Sequence, residues 1–310
     1  MNRTNLILLA LLVIQGACIG YQQLASTGPV EAGPRGLLLE GLDADGITEL
    51  RIEEGGEPGD DKAVTLKKTP SGWVVGERWD HPADGDKVDE LLRELAALEI
   101  ADVVSQTGLH LVELGVAEDD FRKKVSLGGH VLYLGTSGRG SSTHTRVGGD
   151  DRVVAVRDFS TWRVNARPDS WVQRAVVDLD PEAVTGLSLR GEETLELRKQ
   201  GPDWLVNEAP ANAEEVDKLL QKAAKVSLSK VVGAGTAEGE LMHVRVVTAE
   251  GVTSYRIAPS DEESRFLLAV DGGGHVLEVG KWAVEPLLDA TAASLMAAIP
   301  MEAPEEPGQE

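Results

Sequence analysis

At 310 residues the chain exceeds one typical domain and suits two. Its 42 % hydrophobic content can build real cores, while 52 acidic against 30 basic residues give a formal net charge of −22. Such a surface repels phosphate backbones and anionic headgroups, which argues against nucleic acid and against polybasic membrane docking, and favours solubility and cationic partners.

In chain order, the first element is apolar. After Met1-Asn2-Arg3-Thr4-Asn5 the sequence runs apolar from Leu6 to Ile19, broken by Gln15 and Gly16. One positive charge followed by an apolar stretch reads as an export signal. As a helix the run reaches about 21 Å, against a hydrocarbon layer of roughly 30 Å. With Tyr21 in the interfacial belt and Arg3 on the cytoplasmic side, it is just long enough to anchor the chain. Three readings stand side by side: an uncleaved anchor, a lipoprotein signal acylated at Cys18 behind the small pair Gly16-Ala17, and a cleaved secretory signal. Residues 1–20 are therefore read as anchor or signal, and residues 21–36, with their Gly, Pro, Ser and Thr, as a linker. Cys18 is the one cysteine, so no intrachain disulfide and no Cys-based zinc site can form.

The next signal is repetition. Ile47-Thr48-Glu49-Leu50-Arg51-Ile52 parallels Val184-Thr185-Gly186-Leu187-Ser188-Leu189. Val64-Thr65-Leu66-Lys67-Lys68, followed by Gly72-Trp73-Val74-Val75, parallels Leu195-Glu196-Leu197-Arg198-Lys199, followed by Asp203-Trp204-Leu205-Val206. Ala83 to Leu92 parallels Ala211 to Leu220. The spacing between partners shrinks along the chain because the first copy carries extra residues at Gly55–Gly59 and near Trp79–Pro82, both loop-like.

Each copy predicts two short alternating strands, a turn and a Trp strand. A helix follows. Val88, Leu91, Leu92, Leu95 and Leu98, and likewise Val216, Leu219, Leu220, Ala223 and Val226, fall on one helical stripe. Asn212 with Glu215 three residues later suggests a capping box, and Asp84 is the counterpart of Asn212. Val103-Val104 and Val231-Val232 come next, then strands at Lys124–Leu127, Val131–Gly135, Thr143–Val147 and Arg152–Val156. In the second copy these are Val244–Thr248, Thr253–Ile257, Arg265–Val270 and His275–Val279. Their spacing suits antiparallel hairpins. Trp162 and Trp282 close the two series, and the Trp pairs read as matching core anchors. The fold class is α+β: two tandem copies of a mostly antiparallel sheet, each with one main amphipathic helix. The first repeat spans residues 37–177 and the second 178–299; residues 300–310 form an acidic, Pro-rich tail expected to be disordered.

Candidate chemistry is thin. Gly135 to Ser142 lacks the lysine and the following helix of a phosphate loop and reads as a hairpin turn. Asp43-Ala44-Asp45-Gly46 lacks the later ligands of a calcium loop and reads as a turn, with Asp178-Leu179-Asp180-Pro181 as its partner in the second copy. His81, His110, His130, His144, His243 and His275 show no metal-ligand spacing, and most are expected at the surface or at strand edges. No nucleophile motif occurs. No catalytic, cofactor or metal residue is assigned, and no cofactor is expected; Cys18 alone is a candidate for lipidation.

The Gly72-Trp73 strand and the Ala83-Asp84 opening to a Val-x-x-Leu-Leu-x-x-Leu helix carry a likeness. So do Leu114-Gly115-Val116, Val131–Gly135, Arg152–Val156 and Trp171 to Asp180. Together they resemble the bacterial domain of unknown function 4340 family, over about Leu37 to Ile299. The second copy departs by lacking a Leu-Gly-Val segment. The resemblance implies a membrane-anchored protein facing away from the cytoplasm, encoded near ABC transporters related to gliding-motility systems. The expected function is that of a non-enzymatic accessory protein at the cytoplasmic (inner) membrane, its bulk on the periplasmic side and its partners ABC permease subunits. The alternative is an exported module binding a glycan or lipid in a cleft between the copies. An uncharacterised hydrolase comes third.

Overall fold

The structure is a computed structural model that describes residues 36–296, apart from Pro58 and Asp60. The apolar segment with Cys18, and the tail from residue 300, lie outside the described residues. Among the described residues no helix is long and apolar enough to cross a membrane.

Nine strands form a first sheet: β1 (Glu49–Glu54), β2 (Ala63–Thr69), β3 (Gly72–Val75), β4 (His81–Pro82), β5 (Ile100–Ser105), β6 (Lys123–Leu127), β7 (His130–Ser137), β8 (Ser142–Val147) and β9 (Val153–Arg157). Its order is β4-β3-β2-β1-β6-β7-β8-β9-β5. Helix α1 (Gly85–Ala96) separates β4 from β5, and a single turn, α2 (Leu111–Leu114), precedes β6. A short ribbon pairs β10 (Ala175–Asp178) with β15 (Lys225–Ser227). The second sheet contains β11 (Val184–Arg190), β12 (Thr194–Gln200), β13 (Asp203–Val206), β14 (Ala209–Pro210), β16 (Lys230–Ala234), β17 (Met242–Thr248), β18 (Val252–Pro259), β19 (Arg265–Val270) and β20 (His275–Gly280). Its order is β14-β13-β12-β11-β17-β18-β19-β20-β16. Helix α3 (Ala213–Ala224) follows β14; α4 (Lys281–Leu288) and α5 (Ala292–Leu295) end the described chain.

The two orders are the same once each strand is matched in turn. Two four-strand meanders meet at their first strands, and the strand after the helix crosses to the far edge. The resolved registers within the meanders, and at β5–β9 and β16–β20, are antiparallel. The chain divides into two compact units. One holds the residues up to Ile47, Ile52–Pro58 and Glu90–Asn165; the other holds Thr48–Arg51, Gly59–Asp89 and the residues from Ala166 on.

Period-two alternation produces the strands. In β12, Leu195 and Leu197 are buried while Glu196 and Arg198 face water; in β17, Met242, Val244 and Val246 are buried around His243 and Arg245. The helices bury the stripe the sequence marks: Val88, Leu91, Leu92 and Leu95 in α1, and Val216, Leu219, Leu220 and Ala223 in α3. Each large side chain so buried contributes roughly 1.5–3 kcal/mol. Asp84 Oδ1 accepts from the Lys87 amide at 3.2 Å and Asn212 Oδ1 from the Glu214 amide at 3.0 Å, so both caps form. The expected capping box does not, because the Glu215 carboxylate turns to Lys218 at 2.9 Å.

The tryptophans divide. Trp73 and Trp204 are core anchors, and Trp204 is 6 % exposed. Trp162 and Trp282 are not: they are 73 % and 71 % exposed. Each follows the last strand of its sheet, where a side chain can point outward, and each has a cation beside its ring: Arg163 at 5.4 Å from Trp162 and Lys222 at 5.2 Å from Trp282.

Candidate functional site

In the first unit, β8, β9 and β5 turn alternate residues to opposite faces. Thr143, Thr145, Val154 and Val156 point into the core, with the Thr143 hydroxyl donating to the Phe159 carbonyl at 2.6 Å. Ser142, His144, Arg146, Val153, Ala155 and Arg157 therefore share the other face. Part of this face is covered. Val116, Tyr133 and Val153 form a small apolar cluster beside α2. Arg146 is buried there, its guanidinium 4.5 Å from the Tyr133 ring centre and its Nε donating to the Val116 carbonyl at 2.8 Å.

The rest of the face stays open. His144 and Asp102 both pair with Ala155, one from each side, and Ser142 and Ile100 flank Arg157 and Val156 in the next rows. Of these, Asp102, Ser142, His144, Ala155 and Arg157 line a hollow of about 560 Å³ together with Arg139, Ser141, Val104 and Asp158. The turn between β7 and β8 forms its rim. Gly138 N–H donates to the Ser142 carbonyl at 2.8 Å, the Ser142 hydroxyl to the Arg139 carbonyl at 2.8 Å, and Asp158 N–H to the Ser141 carbonyl at 2.8 Å. Gly138 is required by close approach: a Cβ there would stand 2.5 Å from Ser142 Oγ. His144 Nδ1 bonds the Thr136 hydroxyl at 2.9 Å, which leaves Nε2 to the hollow, and burial lowers its pKa.

A second hollow of about 390 Å³ shares Ser141, Ser142 and Asp158 with the first and is walled by Trp162 and Arg163. The Arg163 guanidinium is held in an ion pair with Glu94. A third, of about 520 Å³, shares Arg157 and is bounded by Leu37, Glu99 and Ile100. Arg139 and Arg157 make no ion pair among the described residues. His144 and Asp102 stand on strands either side of β9, roughly 10 Å apart by strand spacing, so they form no hydrogen-bonded acid–base dyad. The arrangement offers guanidinium donors, hydroxyls, two carboxylates and an aromatic face: the chemistry of recognition.

A different cluster forms in the second unit. Arg78 grips Asp169 through Nε at 2.6 Å and Nη2 at 3.0 Å and reaches Asp61 at 3.2 Å. The hydrogen bonds from Arg78 hold the Asp169 carboxyl below its usual range. Nearby, His81 is 7 % exposed, and its Nε2 stands 3.2 Å from the Gln173 carbonyl. A carbonyl only accepts, so the proton sits on Nε2 and the lone pair on Nδ1 is buried without a partner. His275 meets the His81 ring edge-on at 4.9 Å between centres and donates to the Trp79 carbonyl at 3.0 Å. Trp79 and Asp80 both have φ near +55°, which shapes the turn presenting that carbonyl. Burial lowers the His81 pKa, the Gln173 carbonyl works against that, and His275 adds to it.

Other segments that stand out in the sequence take structural roles. Gly135 to Ser142 is the β7–β8 hairpin, and Asp43 to Gly46 is a turn closed by Gly46 N–H to the Asp43 carbonyl at 3.2 Å. Asp180 caps the turn Pro181–Ala183. His110 and His243 are surface residues paired with Glu113 and Asp271, while His81 stands on β4, the edge strand of the first sheet, with its side chain buried. Among the described residues no group of three or more His, Cys, Asp or Glu could hold a metal ion. The groove was missed because Asp102, His144, Arg157 and Trp162 meet only through strand pairing, with no fixed spacing to mark them; an Arg-rich, hydroxyl-rich turn beside a Trp was the sole hint.

Residues 73–243 match the family described as Domain of unknown function (DUF4340). No curated protein and no solved structure matches the chain.

Proposed function

The chain belongs to the DUF4340 family, and from that premise we propose that it is a non-enzymatic, membrane-anchored extracytoplasmic accessory protein, a partner of an ABC-type transport or gliding-motility-like complex. It acts by contact at the outer side of the cytoplasmic membrane, held there by the apolar run Leu6–Ile19. The two like-ordered sheets are tandem copies of one module, residues 37–177 and 178–299, each with one main helix; the shared strand order and the matching α1 and α3 support this reading.

The observation that carries the proposal is the margin of the first sheet beyond Ile100, whose own N–H is taken by the Gly36 carbonyl at 3.0 Å. Strand β5 ends that sheet, its Val104 is 41 % exposed, and the face beside it is hollow. A sheet edge with unpaired backbone groups is a place where another chain adds on. A photo-crosslinking residue placed at Val104 in the membrane-embedded protein tests this. The reading expects crosslinks to permease subunits from Val104 and none from a control position on the α3 surface, such as Lys222.

One observation favours a second reading, an exported module that binds a ligand. Trp162 walls a hollow with several hydroxyls and the Asp158 carboxylate, which supports ligand binding by the first unit. A binding assay with saccharides tests that reading.

A further inference from the structure

Three hollows adjoin along one margin of the first unit, linked by Arg157 on one side and by Ser141, Ser142 and Asp158 on the other. Building on the ligand-binding reading, we propose that this groove is a binding site for an oligosaccharide bearing carboxylates, such as a uronic-acid chain.

Trp162 is the first reason. Its ring is mostly exposed, and one face rests near the Arg163 guanidinium, itself fixed by Glu94. The ring is thus held at a set angle, and its electron-rich surface suits the weakly positive C–H face of a pyranose. Burial of so large a ring on a ligand is worth more than any single hydrogen bond the hollow can make.

The guanidinium groups are the second reason. In a chain of net charge −22, Arg139 and Arg157 are two of the described arginines that make no ion pair, and these two line the same hollow. A planar fork of N–H donors matches a carboxylate in two-point geometry.

The acids decide the class of anion. Asp102 and Asp158 line the same hollow as Arg139 and Arg157. Beside two carboxylates a doubly charged phosphate is repelled, and among the described residues lining the hollow no helix N-terminus offsets that. Each carboxylate of a uronic-acid chain is a single charge set apart from the next by a whole sugar ring, so one can meet the guanidiniums while the ring hydroxyls beside it donate to Asp102, Asp158 and the free Nε2 of His144. Ser141 and Ser160 complete a rim that can give or take hydrogen bonds. A neutral sugar would leave both guanidiniums unanswered, and a nucleotide would set its phosphates against the aspartates.

The test is calorimetry on the full chain in lipid nanodiscs, which avoids sugar-headed detergents, with trigalacturonate and trimannuronate as acidic probes, maltotriose as the neutral one and adenosine monophosphate as the phosphate one. At least one acidic trisaccharide is expected to bind with submillimolar affinity, at least tenfold tighter than maltotriose or the nucleotide. Trp162→Ala and Arg157→Gln should each weaken it tenfold or more with unchanged near-UV circular dichroism, and Arg139→Gln should do the same without touching the sheet. Equal binding of maltotriose, lost in Trp162→Ala, would overturn the acidic class and leave the ligand-binding reading standing. Preference for the nucleotide would overturn the proposal in favour of a phosphate ligand. Binding that survives all three substitutions would overturn the site. No binding of any probe at millimolar concentration would overturn the proposal and the ligand-binding reading together.

Discussion

His81 makes the second unit acid-labile, and the size of the effect can be worked out. In the folded chain its Nδ1 is buried without a partner, its Nε2–H is committed to the Gln173 carbonyl, and His275 lies against its ring. A second proton would therefore sit on a nitrogen with no acceptor, next to another imidazole, and burial lowers the pKa accordingly. In the unfolded chain the same side chain titrates near 6.5. The sign follows: above about pH 6.5 neither state binds the proton and stability is unaffected, while below it the unfolded state binds more protons and stability falls as pH falls, until the depressed folded pKa is reached. One such group costs at most about 1.4 kcal/mol per pH unit, so up to about 2 kcal/mol between pH 6.5 and 5. His144 is lowered in the same sense, but it belongs to the first unit. The depressed carboxyls of Asp169 and Asp150 do not interfere, because their contribution is lost only as pH falls below about 4. Urea unfolding at pH 7.5, 6 and 5, for the native sequence and for His81→Leu, measures this. The variant should lose about 1 kcal/mol at pH 7.5, since the Gln173 carbonyl loses its donor, yet show a shallower decline on acidification. Parallel declines in the two proteins would refute the assignment of acid lability to His81.

Other expectations are direct. Trp204→Ala should cost about 3–5 kcal/mol in urea unfolding, whereas Trp282→Ala, at an exposed position of the same copy, should stay within about 0.5 kcal/mol. Gly135→Ala should cost at least about 3 kcal/mol or abolish soluble expression, because a Cβ there would collide with the Leu114 carbonyl oxygen; a soluble variant with native melting temperature would contradict the packing of α2 on β7. Asp169→Asn should lose about 1–2 kcal/mol at pH 7, by breaking a two-point bond to Arg78, and the loss should shrink as pH falls below about 4. Tyr255→Phe should cost roughly 1 kcal/mol, since it orphans the Ala223 carbonyl at the end of α3, and differential scanning calorimetry can read the shift.

Much of the fold was legible because its determinants are local. Leu195-Glu196-Leu197 reads as a strand from alternation alone, and Val216, Leu219, Leu220 and Ala223 read as a helix face from spacing alone. The paired occurrences of these patterns announced two similar sheets before any strand order was known. What stayed hidden is what depends on tertiary neighbours. Composition gives Trp73 and Trp162 the same rank as core formers, and only the chain path after β9 turns Trp162 outward. His81 lies in a loop-like stretch that its neighbours Gln173 and His275, far along the chain, convert into a buried site. The groove depends on the cross-sheet row of His144, Ala155 and Asp102, whose members carry no mutual spacing in sequence.

The most direct test of the accessory role is quantitative crosslinking and affinity purification of the tagged protein from its native membrane, with mass spectrometry of what accompanies it. The account predicts permease and ATPase subunits of one ABC transporter at near-stoichiometric amounts, diminished when Val104 at the open edge is replaced by Lys or Pro. Recovery of the protein alone, or of the same transporter irrespective of that edge, would contradict it.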